Sequence, residues 1–421
     1  VAILKRAYGV LHAVLIRTLR ALPVSSKLFG PPKGIVADMK VWVAKFRARH
    51  PASSDSCWYK SVHESTGASL PPPRSLAPAP RIFADEQRAR FPEAFTACVP
   101  DARVVMRTGV VISPDDRVFE QSCCWGREWF LPSDIEYNSV RPLLSPRKLP
   151  GGYMTILSRM SPNYYHWFSE CLTRLCVADE LGDLPILLPG NLTAWQRESL
   201  ALLGVGGERV LQLDEGCYEV ERLYFPSFPG TVGFMADWAF RDLRRRFCGD
   251  RPRAGGKRLY VGRGGTAHRH VKNEELVMRA LEKQGFVSVE AHGLTVAEQV
   301  ELFANADVIV GVHGAAMTNV LFAPAGTPVI EILDPMHVVG CYYALSASLR
   351  QRYWYLFGEN SAAGEGRASR KGYDDISIPL ELLLRTLDAA LLKDPPAPPP
   401  ADGESFDSDR HSREPRLRSF G

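Results

Sequence analysis

Three stretches of this sequence hold polar residues at spacings that could do chemistry. In SPNYYHWFSECLTRL, residues 161–175, Asn163, His166, Glu170 and Arg174 follow one another at intervals of three, four and four. On a helix they form one polar stripe, with Trp167, Phe168, Cys171, Leu172 and Leu175 as the packing face. His166 and Glu170 are then neighbours. A carboxylate beside an imidazole can tune it as a general base or serve as the base itself. Of the two, Glu170 is preferred, because a carboxylate needs no tautomer set by a partner. The plain alternative is an exposed His–Glu pair that adds a few tenths of a kcal/mol to a helix.

In RLYVGRGGTAHRHVKNEEL, residues 258–276, Arg263 closes an apolar run and Gly264 and Gly265 make a flexible turn. Arg269 then returns ahead of a helix starting near Asn273. Two guanidinium groups on one loop can fork around a diphosphate, since each pairs bidentately with phosphate oxygens; a solvated basic loop is the alternative. In ADVIVGVHGAAMTNVLFAPAGTPVIEIL, residues 306–333, a buried run ends at His313. Gly314, Ala315 and Ala316 let the next helix begin with its N–H groups close to a ligand, a seat for an anion or sugar phosphate. Glu331, near the carboxyl end of the next run, stands where a carboxylate commonly holds ribose hydroxyls. Close helix–sheet packing is what the small residues would otherwise serve. Neither a Walker loop nor a dinucleotide fingerprint is present in these stretches.

Such residues need a scaffold that brings strand ends and helix starts together. Short apolar runs predict strands at 103–106, 110–113, 153–157, 185–189, 210–213 and 222–225, with helices over 163–181, 193–203 and 235–247. A second set is clearer, with strands 258–263, 286–290, 307–312 and 328–333 alternating with helices 272–284, 295–305 and 315–322. This alternation indicates an α/β fold of doubly wound parallel sheets, whose ligands sit beyond the carboxyl ends of the strands. Residues 66–80, rich in proline and small residues, read as a linker, and the tail from Asp394 cannot build a core. The expected division is an extension with its linker over 1–80, α/β lobes over 81–250 and 251–392, and a disordered tail over 393–421.

A chain of 421 residues, 45% of them hydrophobic and 10% aromatic, can bury the cores that two lobes require. Its net charge of +4, from 51 basic and 47 acidic residues, gives no general field for nucleic acid, so an anion site must be local. Nine scattered cysteines without metal-knuckle or redox spacing fit reduced thiols in a cytosolic protein. Residues 1–30 are apolar but interrupted by Lys5, Arg6, Arg17 and Arg20 before they reach spanning length. They fit an interfacial helix on an anionic membrane or, equally well, a basic amphipathic helix packed on the protein. The pairs Asp115–Asp116 and Asp374–Asp375 read as turns or solvated loops rather than metal ligands.

Taken together and in this order, the three stretches resemble glycosyltransferase family 61. NYYHWFSECLTRL is similar to the family's Tyr-His-Trp-x-x-Glu signature, and RLYVGRGGTAHRHVKNEEL to its Arg-rich segment ending in Asn-Glu. EQVELFANADVIVGVHGAAMTNVLFAPAGTPVIEI is similar to its long C-terminal signature. The resemblance implies a GT-B-like arrangement of two facing Rossmann-like lobes and inverting transfer from a nucleotide sugar, with no cofactor and no essential metal. Carried onto this chain, Arg263 and Arg269 would hold the donor diphosphate. The turn of His313, Gly314, Ala315 and Ala316, with Asn319, would contact donor phosphate or sugar, and Glu331 would lie near the nucleoside. His166 and Glu170 would be catalytic, with Asn163 and Arg174 on the acceptor side. The implied acceptor is a hydroxyl of a glycan or a lipid-linked molecule. With neither a signal peptide nor a spanning segment recognised, the chain is similar to bacterial members associated with capsule or exopolysaccharide synthesis, cytoplasmic or peripheral at the inner face of the cell membrane. Two other readings stay open: a non-catalytic nucleotide- or polysaccharide-binding subunit, and a doubly wound nucleotide-dependent oxidoreductase, against which the missing dinucleotide fingerprint counts.

Overall fold

A computed structural model describes residues 14, 18, 29–53, 55–67, 69–77, 83, 87, 90–124, 143–249, 254–264, 269–361 and 373–392. The expected N-terminal helix over 1–30, interfacial or packed on the protein, lies outside the described residues apart from positions 14, 18, 29 and 30, as does the tail from Asp394. Among the described residues no helix is long and apolar enough to cross a membrane. The chain divides into two units, Val1–Thr66 with Phe91–Ala239, and Gly67–Arg90 with Phe240–Gly421. All nine cysteines are free.

The first unit is built on nine strands. In chain order its elements begin β1 (Gly34–Val36), α1 (Met39–Arg49), β2 (Trp58–His63), β3 (Ala94–Val105), β4 (Val110–Ile112), β5 (Arg117–Phe119) and β6 (Arg147–Thr155). The helix α2 follows in three parts, Tyr164–His166, Trp167–Leu172 and Thr173–Val177, and then β7 (Ile186–Pro189), α3 (Ala194–Leu202), β8 (Val210–Leu213) and β9 (Cys217–Pro226). The sheet order is β8-β7-β6-β9-β3-β4-β5-β1, with β2 paired to β3 alongside β4.

Only one side of this sheet is the parallel sheet that the alternation of strands and helices predicts. Strands β6, β7, β8 and β9 pair in parallel, whereas β9–β3, β3–β4 and β4–β5 are antiparallel. The links between β3, β4 and β5 are too short for a crossover helix and can only form hairpins. Strand β3 is also longer than the expected 103–106. It runs on through Pro100 and Asp101, whose φ is 47°, and keeps one register with β9 on both sides, with Ala102 opposite Val220 and Pro100 opposite Arg222.

Asp116, read as a turn or solvated residue, is buried in the tight turn between β4 and β5 and pairs with the buried Arg103 of β3. Two charges so withdrawn from water depend on each other, since either one alone would be left uncompensated.

The second unit has a five-stranded sheet. After α4 (Asp237–Cys248) come β10 (Lys257–Val261), α5 (Glu274–Glu282), β11 (Phe286–Val289), α6 (Val296–Ala304) and β12 (Ala306–Val312). A 3₁₀ helix over Ala315–Phe322 leads to β13 (Pro328–Leu333), α7 (Cys341–Ser348), β14 (Arg352–Phe357) and α8 (Leu380–Leu391). The order β11-β10-β12-β13-β14 is parallel throughout, as expected for a doubly wound sheet. Val308, Val310, Ile330, Ile332, Trp354 and Leu356 pack with Val277 and Leu281 of α5 and Leu383 and Leu387 of α8. Burial of such aliphatic side chains stabilises the unit by about 1.5–3 kcal/mol each before the entropy of ordering is counted.

The proline-rich segment read as a linker is packed in this second unit. Arg74 donates its N–H to the Tyr353 carbonyl and accepts from Tyr355 N–H, while the Tyr343 hydroxyl donates to the Pro71 carbonyl. Extended backbone lacking some N–H groups can still pair at a sheet edge, and prolines impose that geometry. Phe83 packs edge-to-face against Tyr343 and Tyr353 and at a tilt against Tyr355.

Asp116→Ala is expected to destabilise the first unit by about 3–5 kcal/mol by stranding the Arg103 charge. Urea unfolding monitored by intrinsic fluorescence checks this, and an unchanged midpoint would show that the pair contributes little.

Candidate functional site

In α2 the middle turn is π-helical over Trp167–Leu172. Asn163 caps its start, its Oδ1 accepting from Tyr165 N–H at 2.9 Å. His166 Nδ1 lies 2.7 Å from Glu170 Oε1. The Glu170 side chain is fully buried, whereas that of His166 is 15% exposed. Donation from Nδ1 to the carboxylate leaves Nε2 as the acceptor nitrogen of the ring. The carboxylate thus sits behind the imidazole, which reverses the order of access that a Glu170 base would need. Glu170 Oε2 is buried without a partner.

The wider π turn also breaks the expected polar stripe. Arg174, placed on the polar stripe by its spacing and on the acceptor side by the resemblance, is fully buried instead. It donates from Nε to the Pro226 carbonyl and from Nη1 to the Leu157 carbonyl. Its guanidinium lies 4.7 Å from the centre of the Phe225 ring and 4.5 Å from that of Phe228. Burial pushes its pKa down to about 9. Arg174 therefore fastens α2 to the ends of two strands, and only His166 and Glu170 of the stripe are left to do chemistry.

In the second unit, β10 and β12 are the neighbours from which the winding proceeds in opposite directions, and ligands bind at the carboxyl ends of strands at such a switch point. Arg263 follows β10 and His313 follows β12. Arg263 N–H donates to Glu274 Oε1, which ties the end of β10 to the first turn of α5. Its side chain is nearly buried and reaches across the switch point, donating from Nε to the Arg269 carbonyl and from Nη1 to the His313 carbonyl at 3.5 Å. Burial first, and then the neighbouring Arg269, lower its pKa to about 10.

A Cβ at Gly314 would meet Arg263 Nη1, so the guanidinium keeps its place only while this position lacks a side chain. Tyr342 fixes the turn by donating its hydroxyl to the Gly314 carbonyl at 2.7 Å. Arg269 holds a φ of 59°, and its Nε is buried without a partner. Its backbone is set by the next residue: His270 N–H donates to Asp375 Oδ1, and Ile376 N–H donates to the His270 carbonyl. Asp375, read as a turn or solvated residue, is thus an anchor for the arginine loop, and Asp374 beside it is buried.

His313 repeats the imidazole–carboxylate pairing of the first unit, with Nδ1 at 2.5 Å from Glu331 Oε1. The other oxygen of Glu331 accepts from the Tyr353 hydroxyl at 2.5 Å. Glu331 is fully buried with both oxygens engaged, so it orients His313 rather than reaching for a ribose as expected. Asn319 is also fully buried and donates to Gln299 Oε1 at 2.6 Å, tying the 3₁₀ helix to α6 instead of lining a ligand seat. The helix expected over 315–322 is a 3₁₀ helix. Gly314 provides no side-chain cap, and Met317 N–H already closes on the Gly314 carbonyl with 3₁₀ spacing. Ala315 and Ala316 remain partly exposed at its start.

Two residues beyond β13 join this edge unforeseen. His337 lies with its ring 5.7 Å from that of His313, and burial, then His313 and Arg269, hold its pKa down at about 4, so it is neutral near pH 7. Asp334 directly follows the strand and is buried. A carboxylate immediately after a parallel strand is a readable signal for Asp334, whereas nothing in the spacing marks His337 or Tyr342.

The edge therefore gathers Arg263, Arg269 and an oriented imidazole around a glycine-walled turn, an arrangement suited to an anion with several oxygens. Residues 164–330 match the family model Glycosyltransferase 61. That stretch holds His166, Glu170, Arg263, Arg269, His313 and the Gly314 turn, and ends one residue before Glu331. Beta-1,2-xylosyltransferase XAX1 of Oryza sativa subsp. japonica is 37% identical over 96 residues, covering 22% of this chain and 17% of the rice protein. The match to the family model thus lies in the part of the chain that carries the His166–Glu170 pair, both arginines and His313.

Gly314→Ala is expected to displace the Arg263 guanidinium and weaken pyrophosphate binding by about 1.5 kcal/mol or more, the range for a hydrogen bond to a charged group. Titration calorimetry measures this. Unchanged affinity in a folded variant would remove Arg263 from the anion seat.

Proposed function

We propose that the chain is an inverting glycosyltransferase that binds the diphosphate of a nucleotide sugar at the carboxyl edge of the second unit's sheet and transfers the sugar to an acceptor hydroxyl. The observation that carries this reading is the Arg263–Arg269 pair at the switch point, with one buried guanidinium nitrogen of Arg269 lacking a partner, inside the stretch that matches the glycosyltransferase model. A buried donor of this kind is left costly until an acceptor arrives, and phosphate oxygens supply it.

Transfer needs a group to take the acceptor proton and groups to absorb charge on the departing diphosphate. In this proposal His166 Nε2 takes the proton, and Glu170 holds the ring in that tautomer and stabilises the imidazolium that forms. Arg263 and Arg269 stabilise the leaving diphosphate without a metal. His313, oriented by Glu331, supplies a further hydrogen-bonding nitrogen at the same edge. The proposed acceptor is a glycan or lipid-linked hydroxyl. A role in bacterial surface polysaccharide synthesis at the inner membrane face rests on the sequence resemblance alone. The rice relative's name places xylose first among the donor sugars to test.

The test is release of nucleoside diphosphate from a panel of nucleotide sugars, with and without acceptor and with and without EDTA. Wild-type protein should release it in EDTA. His166→Ala should lower kcat by about 10²–10⁴-fold, the usual contribution of a general base, with donor affinity nearly unchanged. Glu170→Gln should lower kcat by less. Donor that binds without ever turning over would favour a binding subunit. Activity lost with chelator and restored by Mg²⁺ or Mn²⁺ would overturn the charge stabilisation proposed here, and full activity in both variants would move the base elsewhere.

A further inference from the structure

Asp334 is the one carboxylate at the carboxyl edge of the second unit's sheet, among the described residues discussed above, that is buried and half used. Its side chain follows β13 directly, and the residue is 4% exposed. Oδ1 accepts from Met336 N–H at 2.9 Å and from Asn360 Nδ2 at 2.8 Å. Oδ2 is buried and has no partner. A buried carboxylate oxygen left unbonded carries the full loss of its hydration, which marks it as a place where a donor is missing.

The surroundings narrow what that donor can be. His337 donates its backbone N–H to the Asp334 carbonyl, and its ring lies beside that of His313. The carboxylate is thereby placed on the edge that holds Arg263 and Arg269, but it would repel a phosphate. A carboxylate in an anion seat needs a neutral hydrogen-bond donor, and the neutral donors nearest the diphosphate in a nucleotide sugar are hydroxyls of the ribosyl and glycosyl rings, the nucleobase N–H groups lying beyond the ribose. Residues 335–339, which follow Asp334, are only half-buried, so they are the thin part of its cover.

We propose that Asp334 is the hydroxyl receptor of the donor seat, its Oδ2 accepting from a hydroxyl of a ribosyl or glycosyl ring attached to the diphosphate, with Asn360 and Met336 N–H fixing the other oxygen. This rests on the reading of that edge as a diphosphate seat. It assigns to Asp334 the hydroxyl-binding role that the position of Glu331 had suggested, and it makes Asp334 a selector for ring-bearing diphosphates over bare ones.

Calorimetric titration of wild type, Asp334→Asn and Asn360→Ala tests it with pyrophosphate, UDP and UDP-xylose, and with GDP and GDP-mannose as a second set. Asp334→Asn keeps the shape but replaces the accepting oxygen by a donating amide. It should weaken ring-bearing ligands about tenfold or more, as loss of a hydrogen bond to a charged group does, and leave pyrophosphate within about twofold. Loss already at the nucleoside diphosphate, and alike for UDP and GDP, identifies the ribosyl ring; loss confined to the nucleotide sugar identifies the glycosyl ring; and loss for one nucleobase alone, which points to a base N–H, overturns the proposal. Asn360→Ala retains the carboxylate but loosens it, and should show the same selectivity with a smaller loss; it decides the matter if Asp334→Asn does not fold. Equal weakening of pyrophosphate, or no weakening of any ring-bearing ligand, overturns the proposal. Wild type that binds pyrophosphate but neither set of ring-bearing ligands overturns it while leaving the anion seat intact, and wild type that binds none overturns both.

Discussion

The order in which five parallel strands are wound is the constraint on which the second unit's site depends. Each parallel neighbour requires a crossover, and crossovers share one hand, so a sheet wound outward from its middle must send the chain away in opposite directions after β10 and β12. The two loops part and leave a concavity at that point. Arg263 and His313 are the first side chains beyond those strands, which puts a guanidinium and an imidazole on either side of the parting. Gly314 then matters because a side chain there would close the space through which Arg263 reaches the His313 carbonyl.

Each unit carries one buried Glu paired to one partly exposed His, His166–Glu170 and His313–Glu331. A buried carboxylate is costly unless it is hydrogen-bonded, and the partner that each Glu finds is an imidazole that still reaches the surface. The pairing fixes which ring nitrogen carries the proton and so fixes what the exposed nitrogen can do. The surrounding structure differs. Glu331 is saturated by Tyr353, a rigid arrangement suited to a ring that only binds, whereas Glu170 keeps one oxygen free of partners. That difference accords with the proposed division of labour, in which His166 changes its protonation state and His313 does not need to.

Much of the second unit was legible because its strands are short apolar runs flanked by amphipathic helices; β13 and the segment Val210–Leu213 of the first unit coincide with their expected spans. The antiparallel half of the first sheet was hidden, because the strand–helix alternation read elsewhere was extended to it, although the short links between β3, β4 and β5 leave no room for a crossover helix. Arg174 was misplaced because helical spacing assumes a uniform turn, and the π turn over Trp167–Leu172 rotates everything after it. Asn319 and Glu331 were placed in the correct region but with the wrong reach, because periodicity tells which strand end a residue occupies and not whether another side chain has already taken its oxygens. The proline-rich segment shows the same limit: composition reported its stiffness, while its pairing with Tyr353 and Tyr355 depends on residues nearly three hundred positions away.

In the proposed function the donor's diphosphate is held at the carboxyl edge of the second unit's sheet. Hydrogen–deuterium exchange of the full chain, with and without a saturating nucleoside diphosphate, locates the ligand without presupposing which residues bind it. A diphosphate seated there should slow exchange in peptides covering 261–271 and 312–318, with the remaining strands of that sheet little changed. Protection confined to other parts of the chain, with these two segments exchanging as fast as before, would contradict it.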